Sequence, residues 1–229
     1  GNLTVKGEGG FDVKKGTDLY CLFYNSQSTL TIESGNYTVA ETVTAGSLIY
    51  ADKQNTTSIS GGTFKLGNAG ADASTTKPWI FNVHGKNEGN FIQLTGGTYN
   101  ENLYKNYGTQ KDCEVKIPNT KALKDNGNGT WSVVDAVAYV GDLGYATLDE
   151  AITAAKAGET IYLLADAEQN ADVTGKYLNL NGYTMTGNVI GNLVMEGGTY
   201  ITAEGFSMAA VEGDFYYLTS DATFGIETN

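Results

Sequence analysis

The stretch Ile92-Gln93-Leu94-Thr95-Gly96-Gly97-Thr98-Tyr99 carries the pattern that decides the fold: alternating apolar residues, a small-residue turn and an aromatic residue. In a β-strand alternate side chains point to one face, so Ile92 and Leu94 are expected to share an interior. The glycine pair lets the chain turn a corner, because glycine reaches positive φ without steric cost. The pattern therefore predicts a strand followed by a corner.

This pattern recurs, which is typical of a repeat protein. The other full copies are Leu30-Thr31-Ile32-Glu33-Ser34-Gly35-Asn36-Tyr37, Thr57-Ser58-Ile59-Ser60-Gly61-Gly62-Thr63-Phe64 and Leu193-Val194-Met195-Glu196-Gly197-Gly198-Thr199-Tyr200. A looser copy with a one-residue offset lies at residues 3–11. Successive aromatic positions are 26, 27 and 35 residues apart, counted over Phe11, Tyr37, Phe64 and Tyr99.

A second apolar strand recurs between the aromatic positions, at residues 20–23, 47–50 and 79–83. One coil cannot bury its apolar face alone, but coils stacked about 4.8 Å apart pair equivalent strands and share a core. Such stacking would place Ile32, Ile59 and Leu94 in one column. The alternative is an antiparallel sandwich of hairpins, which needs no repeat of this length. We predict an all-β fold of parallel β-helix coils.

Residues 125–130, Asp-Asn-Gly-Asn-Gly-Thr, are the clearest break in the chain. A calcium loop would place ligand positions on Gly127 and Gly129, so a tight turn is the favoured interpretation. A short strand at 131–134 and a hairpin at 137–147 are expected to follow. We divide the chain into residues 1–134, with the Gly-Gly-Thr-aromatic corners, and residues 135–229, a second β-helix segment opened by the hairpin.

One α-helix is predicted near residues 148–157. Thr147 and Glu150 form a capping box, in which each side chain satisfies an exposed amide of the other residue. Apolar residues then recur at helical spacing as far as Ala155, and Gly158 supplies a C-terminal stop. We expect this helix to cover the open end of a coil stack, whose exposed strand edges would otherwise favour aggregation.

The second half carries a resemblance to a known family. Its signature segments are Gly144-Tyr145-Ala146-Thr147-Leu148-Asp149-Glu150-Ala151-Ile152, Gly158-Glu159-Thr160-Ile161-Tyr162-Leu163-Leu164 and Leu178-Asn179-Leu180-Asn181-Gly182-Tyr183-Thr184-Met185. Together they resemble pectate-lyase-like right-handed parallel β-helices, and sequences of repetitive adhesin-like surface proteins of gut bacteria. The resemblance implies a right-handed β-helix. Pectinolytic members imply catalytic arginine, lysine and aspartate on one face, and this chain has no arginine.

Charge and composition limit the partners. The formal net charge is −12 and the sequence pI about 4.4. All 14 cationic residues are lysine, so bidentate arginine recognition of carboxylate or phosphate does not occur. Nucleic acid and anionic lipid would be repelled. No apolar run long enough for membrane insertion is present. We expect a secreted or cell-surface protein, anchored by segments outside this sequence.

Few residues offer nucleophilic or metal chemistry. His84 is the sole histidine and is expected in a surface turn, where a catalytic triad is not favoured. Cys21 and Cys113 are too few for a disulfide framework, and Cys21 lies in an apolar run as a small hydrophobic residue. With one histidine and two distant cysteines a zinc site lacks ligands. The sequence therefore predicts no metal site and no cofactor.

Paired carboxylates are the best enzymatic option, because glycoside hydrolysis needs two of them at a defined separation. The candidates are Asp166 with Glu168, or Asp142 with Asp149. Asp166 and Glu168 follow the end of a strand, a position typical of solvated turn charges. We therefore expect no catalytic residues.

Exposed aromatic residues are the stronger binding signal. Residues 101–108 are predicted to form a loop that sets Tyr104 and Tyr107 beside Asn102 and Asn106. Trp79 follows residues 67–76, which are interpreted as a loop inserted into one coil. Aromatic faces with neighbouring amides suit sugar rings, which are apolar on one side and hydroxylated at the edge. The alternative is that these tyrosines cover coil edges.

The leading hypothesis is a non-catalytic, extracellular, adhesin-like module that contacts host or bacterial surface glycans or proteins. One rival is a carbohydrate-active β-helix enzyme using paired carboxylates. Another is a structural stalk or phage-fibre segment.

Overall fold

A computed structural model describes residues 1–16, 19–43, 45–52, 55–67, 79–83, 90–107, 115–209, 215–220 and 224–227, with the backbone alone at 106–107, 215–220 and 224–227. The chain forms two compact units. Unit 1 comprises Gly1–Ile117 and Leu123–Val134, and unit 2 comprises Pro118–Ala122 and Asp135–Asn229.

The elements as far as residue 135 are mostly short strands. They are β1 (Asn2–Val5), β2 (Gly10–Val13), β3 (Phe23–Asn25), β4 (Thr29–Ile32), β5 (Asn36–Val39), β6 (Ser47–Ala51), β7 (Thr56–Ile59), β8 (Thr63–Leu66), β9 (Trp79–Val83), β10 (Ile92–Leu94), β11 (Thr98–Tyr99), α1 (Leu103–Tyr107), β12 (Val115–Lys116), β13 (Lys121–Asp125) and β14 (Trp131–Asp135).

Unit 1 is a stack of coils in which successive passages of the chain add strands to three parallel ladders. The ladders are β1-β4-β7-β10-β12, β2-β5-β8-β11 and β3-β6-β9. Ile59 pairs with Ile32 on one side and Leu94 on the other, and all three are at most 1% exposed. The predicted column is confirmed, and the antiparallel sandwich is wrong for this unit.

An aromatic column runs through the second ladder. Phe64 lies between Tyr37 and Tyr99, with ring centroids 5.0 and 5.2 Å away and the rings close to parallel. These three residues are at most 1% exposed, whereas Phe11 is 50% exposed because β2 is the first strand of the ladder. Such ring pairs contribute about 0.5–1.5 kcal/mol each beyond area burial. The repeated aromatic position is therefore a core position.

The glycine pair at the corner is required for two different reasons. A Cβ added at Gly96 would lie 2.0 Å from the carbonyl oxygen of Ser60 in the preceding coil. Gly97 has φ +99°, and a Cβ there would lie 2.5 Å from the Tyr99 hydroxyl, which donates to the Gly96 carbonyl at 2.8 Å. The first glycine thus permits close stacking of coils, and the second permits the turn and the folded-back tyrosine.

The predicted turn at 125–130 is confirmed as the connection between the neighbouring strands β13 and β14. Asn126 N donates to Thr130 O at 3.0 Å, and Gly127 N donates to Asp125 Oδ1 at 2.8 Å. Strand β13 itself was not predicted, because three of its five residues are charged, as in a solvated segment.

The elements after residue 135 also form strands around one helix. They are β15 (Ala138–Val140), β16 (Leu143–Tyr145), α2 (Leu148–Ala154), β17 (Thr160–Leu163), β18 (Ala167–Glu168), β19 (Ala171–Asn179), β20 (Thr184–Thr186), β21 (Val189–Glu196), β22 (Thr199–Ile201), β23 (Ser207–Ala209), β24 (Phe215–Ser220) and β25 (Phe224–Glu227).

Unit 2 combines parallel ladders with antiparallel strands. Strands β17-β19-β21 and β18-β20-β22 are parallel, and their inward side chains form a core that includes Ile161, Leu178 and Met185. The hairpin predicted at 137–147 is present as β15 and β16. Strands β23 and β24 pair antiparallel with β22 and β21, so the coil pattern does not continue through them.

The two helices differ in how well they were predicted. Helix α2 has the expected capping box at Thr147 and buries Leu148 and Ala151 in the unit 2 core, although it ends three residues before the predicted limit at 157. Helix α1 was read as loop, which is wrong. It forms because the Asn102 side chain accepts the Lys105 amide at 3.0 Å and Leu103 is buried in the unit 1 core. Within the described ranges, neither helix is long and apolar enough to cross a membrane.

Candidate functional site

Three tyrosines from the first two coils form an exposed cluster in unit 1. Tyr24 in β3 pairs directly with Tyr50 in β6, and Tyr20 precedes β3. Tyr20 is 64% exposed and Tyr24 is 57% exposed, whereas Tyr50 is half-buried. We call Tyr20, Tyr24, Tyr50 and Asp52 the tyrosine cluster.

The rings of the cluster contact one another closely. Tyr24 and Tyr50 are stacked with centroids 5.3 Å apart and an interplanar angle of 3°. The Tyr20 ring lies 5.3 Å from Tyr50 and 6.4 Å from Tyr24, tilted by about 40° to both. Since exposed apolar surface on a folded chain often marks a contact site, this grouping is a candidate for ligand binding.

Asp52 gives the cluster a negative, hydrogen-bonding edge. The Tyr24 hydroxyl donates to Asp52 Oδ2 at 2.8 Å, and this bond raises the pKa of Tyr24. Burial, followed by a side-chain hydrogen bond with Tyr20, raises the pKa of Tyr50 to about 12. Tyr24 and Tyr50 therefore keep their protons at neutral pH, while Asp52 supplies acceptor oxygens.

The strand that carries Tyr24 is held in place by a buried amide. Asn25 is 3% exposed, and its Nδ2 donates to Thr56 O at 3.1 Å and to Thr57 Oγ1 at 2.8 Å. These bonds attach the end of β3 to the coil below. Tyr24 also lines an open groove of about 640 Å³, together with Ser26 and Gln27. Tyr24 is the one cluster residue that lines this groove, and the end of its strand is fixed by the Asn25 bonds.

This arrangement matches the chemistry of a sugar ring. Tyrosine offers a rigid, amphipathic contact surface with few rotatable bonds. The negative face of its ring attracts the slightly positive C–H groups on one side of a pyranose. Asp52 can accept hydrogen bonds from sugar hydroxyls, and exposed Asn82, which pairs with Tyr50 across the sheet, adds an amide.

The predicted contact residues lie in β9, in α1 and directly before α1. Trp79 in β9 is half-buried and packs against the unit 1 core. Asn102 is engaged in capping α1, on which Tyr104 is 40% exposed. The side chains of Asn106 and Tyr107 lie outside the described residues.

The predicted carboxylate pairs take part in local hydrogen bonds. Asp166 Oδ1 accepts the Thr184 amide at 2.7 Å, and Asp149 Oδ1 accepts Gln169 Nε2 at 2.7 Å. The remaining candidates, Asp142 and Glu168, are exposed. Asp166 and Asp149 thus each accept a hydrogen bond from a residue distant in the chain.

The residues considered for nucleophilic and metal chemistry are only partly described. His84 and Cys113 lie outside the described residues. Cys21 is a half-buried free thiol, and burial raises its pKa. In the part of the chain that the structure describes, no three histidine, cysteine or acidic side chains are grouped so that they could hold a metal ion.

The sequence contained a signal for the tyrosine cluster that the prediction did not use. Tyr24 and Tyr50 are 26 residues apart, which is the interval between Phe11 and Tyr37. Residues 20–23 were interpreted as a recurring apolar strand, and the outward side of that strand was not considered as a contact surface.

No protein-family model, curated protein or solved structure matches this chain. The resemblance to pectate-lyase-like β-helices therefore stays a hypothesis that rests on sequence patterns.

Proposed function

We propose that this chain is an extracellular, adhesin-like module that binds neutral glycans at the tyrosine cluster. The observation that carries the proposal is the grouping of three tyrosine rings, two of them more than half exposed, beside a carboxylate. Solvent-facing positions of a sheet are usually polar, so three contacting aromatic rings beside a carboxylate mark a candidate contact surface.

Charge favours a neutral ligand over an acidic one. Asp52 accepts from Tyr24 within the cluster, and the whole chain has a net charge of −12 and no arginine. An acidic sugar would approach this carboxylate without the bidentate partner that usually neutralises a ligand carboxylate. A neutral hexose instead gains hydrogen bonds to Asp52 through its hydroxyls. The ligand class is therefore an uncharged pyranose-containing glycan.

The proposal includes the finer fold and the location. We infer a right-handed, pectate-lyase-like β-helix from the sequence resemblance, supported by the parallel ladders of unit 1. A secreted or cell-surface location agrees with the acidic, threonine- and asparagine-rich composition. Stacked coils form a rigid scaffold, and a rigid scaffold lowers the entropic cost of binding at the sites it displays.

A glycan array with paired variants tests the proposed site. Wild type should bind neutral oligosaccharides, and Tyr24→Ala/Tyr50→Ala should bind them roughly tenfold more weakly, because loss of an anchoring aromatic residue costs more than 1 kcal/mol. Tyr104→Ala is the matched control, since Tyr104 is an exposed tyrosine outside the cluster. Urea midpoints confirm that each variant is folded. Unchanged binding in the double variant, or equal loss in Tyr104→Ala, would reject the site.

Asp52→Asn tests the ligand charge. Removing one negative charge near a bound acidic sugar should strengthen binding of uronate-containing oligosaccharides up to roughly fivefold, from about 1 kcal/mol at 4 Å in water. Neutral glycans should gain nothing. If wild type already prefers uronates, the proposed ligand class is wrong. New reducing ends or unsaturated products during these incubations would instead show an enzyme.

A further inference from the structure

A second aromatic surface lies in unit 2, on residues that the sequence analysis did not consider for binding. Tyr139 in β15 pairs directly with Tyr162 in β17, and their rings are stacked with centroids 4.8 Å apart at an angle of 10°. Their strand neighbours Ala138 and Ile161 are fully buried in the unit 2 core. Because side chains alternate along a strand, the tyrosines occupy the opposite, outward side of the sheet.

A fixed carboxylate adjoins this tyrosine pair. Tyr162 pairs with Asn179 in β19, and Asn179 Nδ2 donates to Glu196 Oε2 at 3.1 Å. Asn179 is 4% exposed, and its Oδ1 accepts the Asn181 amide at 2.8 Å, so its orientation is set by two bonds. Glu196 is exposed, and its second oxygen can accept a bond from a ligand hydroxyl.

Glu196 also acts electrostatically on Tyr139. Burial, then the neighbouring Tyr162 and Glu196, raise the pKa of Tyr139. Tyr139 therefore remains a hydroxyl donor at neutral pH, close to a carboxylate acceptor. The surface combines aromatic rings, a phenolic donor and an oriented carboxylate, which are the same groups as in the tyrosine cluster. An outward tyrosine pair alone could serve packing between strands, but packing does not require a buried amide that orients an exposed carboxylate.

We propose that Tyr139, Tyr162, Asn179 and Glu196 form a second, independent binding site for a neutral sugar ring. The ring stacks on the tyrosine surface, and its hydroxyl groups donate to Glu196. Asn179 is a positioning residue that holds Glu196 in place. This site rests on unit 2 alone and extends the proposed function from one glycan contact per chain to two.

Calorimetric titration of the full chain with a neutral oligosaccharide selected on the array separates the two sites. Wild type should bind two ligands per chain. Tyr139→Ala/Tyr162→Ala and Tyr24→Ala/Tyr50→Ala should each bind one, and the fourfold variant should bind roughly tenfold or more weakly at both positions. Ile190→Ala, which removes a 55% exposed apolar side chain from β21, is the control and should bind two.

The outcomes distinguish failure of the unit 2 site from failure of the tyrosine cluster. The unit 2 site is overturned if Tyr139→Ala/Tyr162→Ala still binds two ligands. It is also overturned, while the tyrosine cluster stands, if wild type binds one ligand and Tyr24→Ala/Tyr50→Ala binds none. If binding depends on the unit 2 pair alone, the tyrosine cluster fails and the unit 2 site stands. Absence of any binding overturns both. Glu196→Gln, which keeps the side-chain shape, should weaken binding at the second site by roughly three- to tenfold through loss of a charge-assisted bond.

Discussion

Replacing the two corner glycines one at a time separates steric contact from backbone strain. Gly97 has φ +99°, a backbone conformation that residues with a side chain rarely adopt. Gly97→Ala therefore strains the backbone at a cost of about 1–2 kcal/mol. The new Cβ also displaces the buried Tyr99 hydroxyl, 2.5 Å away, from its bond to the Gly96 carbonyl, at a further cost of about 1–3 kcal/mol. The expected loss in the free energy of unfolding is therefore about 2–5 kcal/mol.

Gly96→Ala tests steric contact alone, because Gly96 does not have a positive φ. Its Cβ would lie 2.0 Å from Ser60 O, and separating the two coils should cost about 1–3 kcal/mol. Gly127→Ala tests strain alone, since Gly127 has φ +71° and no atom within 4 Å of an added Cβ. Its expected cost is about 1 kcal/mol. All three variants stiffen the unfolded chain equally, so the differences among them reflect the folded state.

Urea titration followed by tryptophan fluorescence provides the assay, because Trp79 and Trp131 both belong to unit 1. With a slope of about 2 kcal/mol per molar urea, Gly97→Ala should lower the midpoint by roughly 1–2.5 M. Gly127→Ala should lower it by about 0.5 M on the same slope. The explanation of the corner is refuted if Gly97→Ala and Gly127→Ala have equal midpoints, or if Gly96→Ala unfolds at the wild-type urea concentration.

Three further predictions concern the core, the helix cap and alkaline pH. Phe64→Ala should lower the free energy of unfolding by about 3–5 kcal/mol, because the Phe64 ring is fully buried between two others. The control Phe206→Ala, at a 69% exposed position, should change it by less than about 0.5 kcal/mol. Equal urea midpoints for the two variants would contradict the aromatic column. Thr147→Ala should destabilise α2 by about 1 kcal/mol and accelerate amide hydrogen exchange in that helix, because it removes the capping box. Thr147→Ser keeps the hydroxyl group and should restore the protection from exchange. Unchanged exchange in Thr147→Ala would show that the capping box is not needed. Folding raises the pKa of Tyr50 from 10.0 to about 12. The resulting contribution to stability is complete below pH 10.0 and is lost as the pH rises towards about 12. Between these pH values the urea midpoint of Tyr50→Phe should therefore fall less than the urea midpoint of wild type.

None of the residues of the tyrosine cluster was among the contact residues predicted from the sequence. Tyrosines beside polar groups were expected to contact sugars, and the residues named lie in α1, in β9 or, for Asn102, directly before α1. The tyrosine cluster depends on the pairing of Tyr24 with Tyr50, and Asp52 reaches Tyr24 because β6 ends beside β3. Contacts between residues 26 or 28 positions apart depend on strand register, and a one-residue shift would reverse the face of every side chain.

The sequence by itself determined the repeat, the column of Ile32, Ile59 and Leu94, and the capped helix, because these follow from local spacing and from the need of each coil for a neighbour. The tertiary structure alone decided the antiparallel pairing of β24 on β21 and the folding of α1 around buried Leu103. It also decided which tyrosines remain on the outside. Each of these depends on contacts between segments distant in the chain, and alternation along a single strand does not specify which of its two faces will be covered.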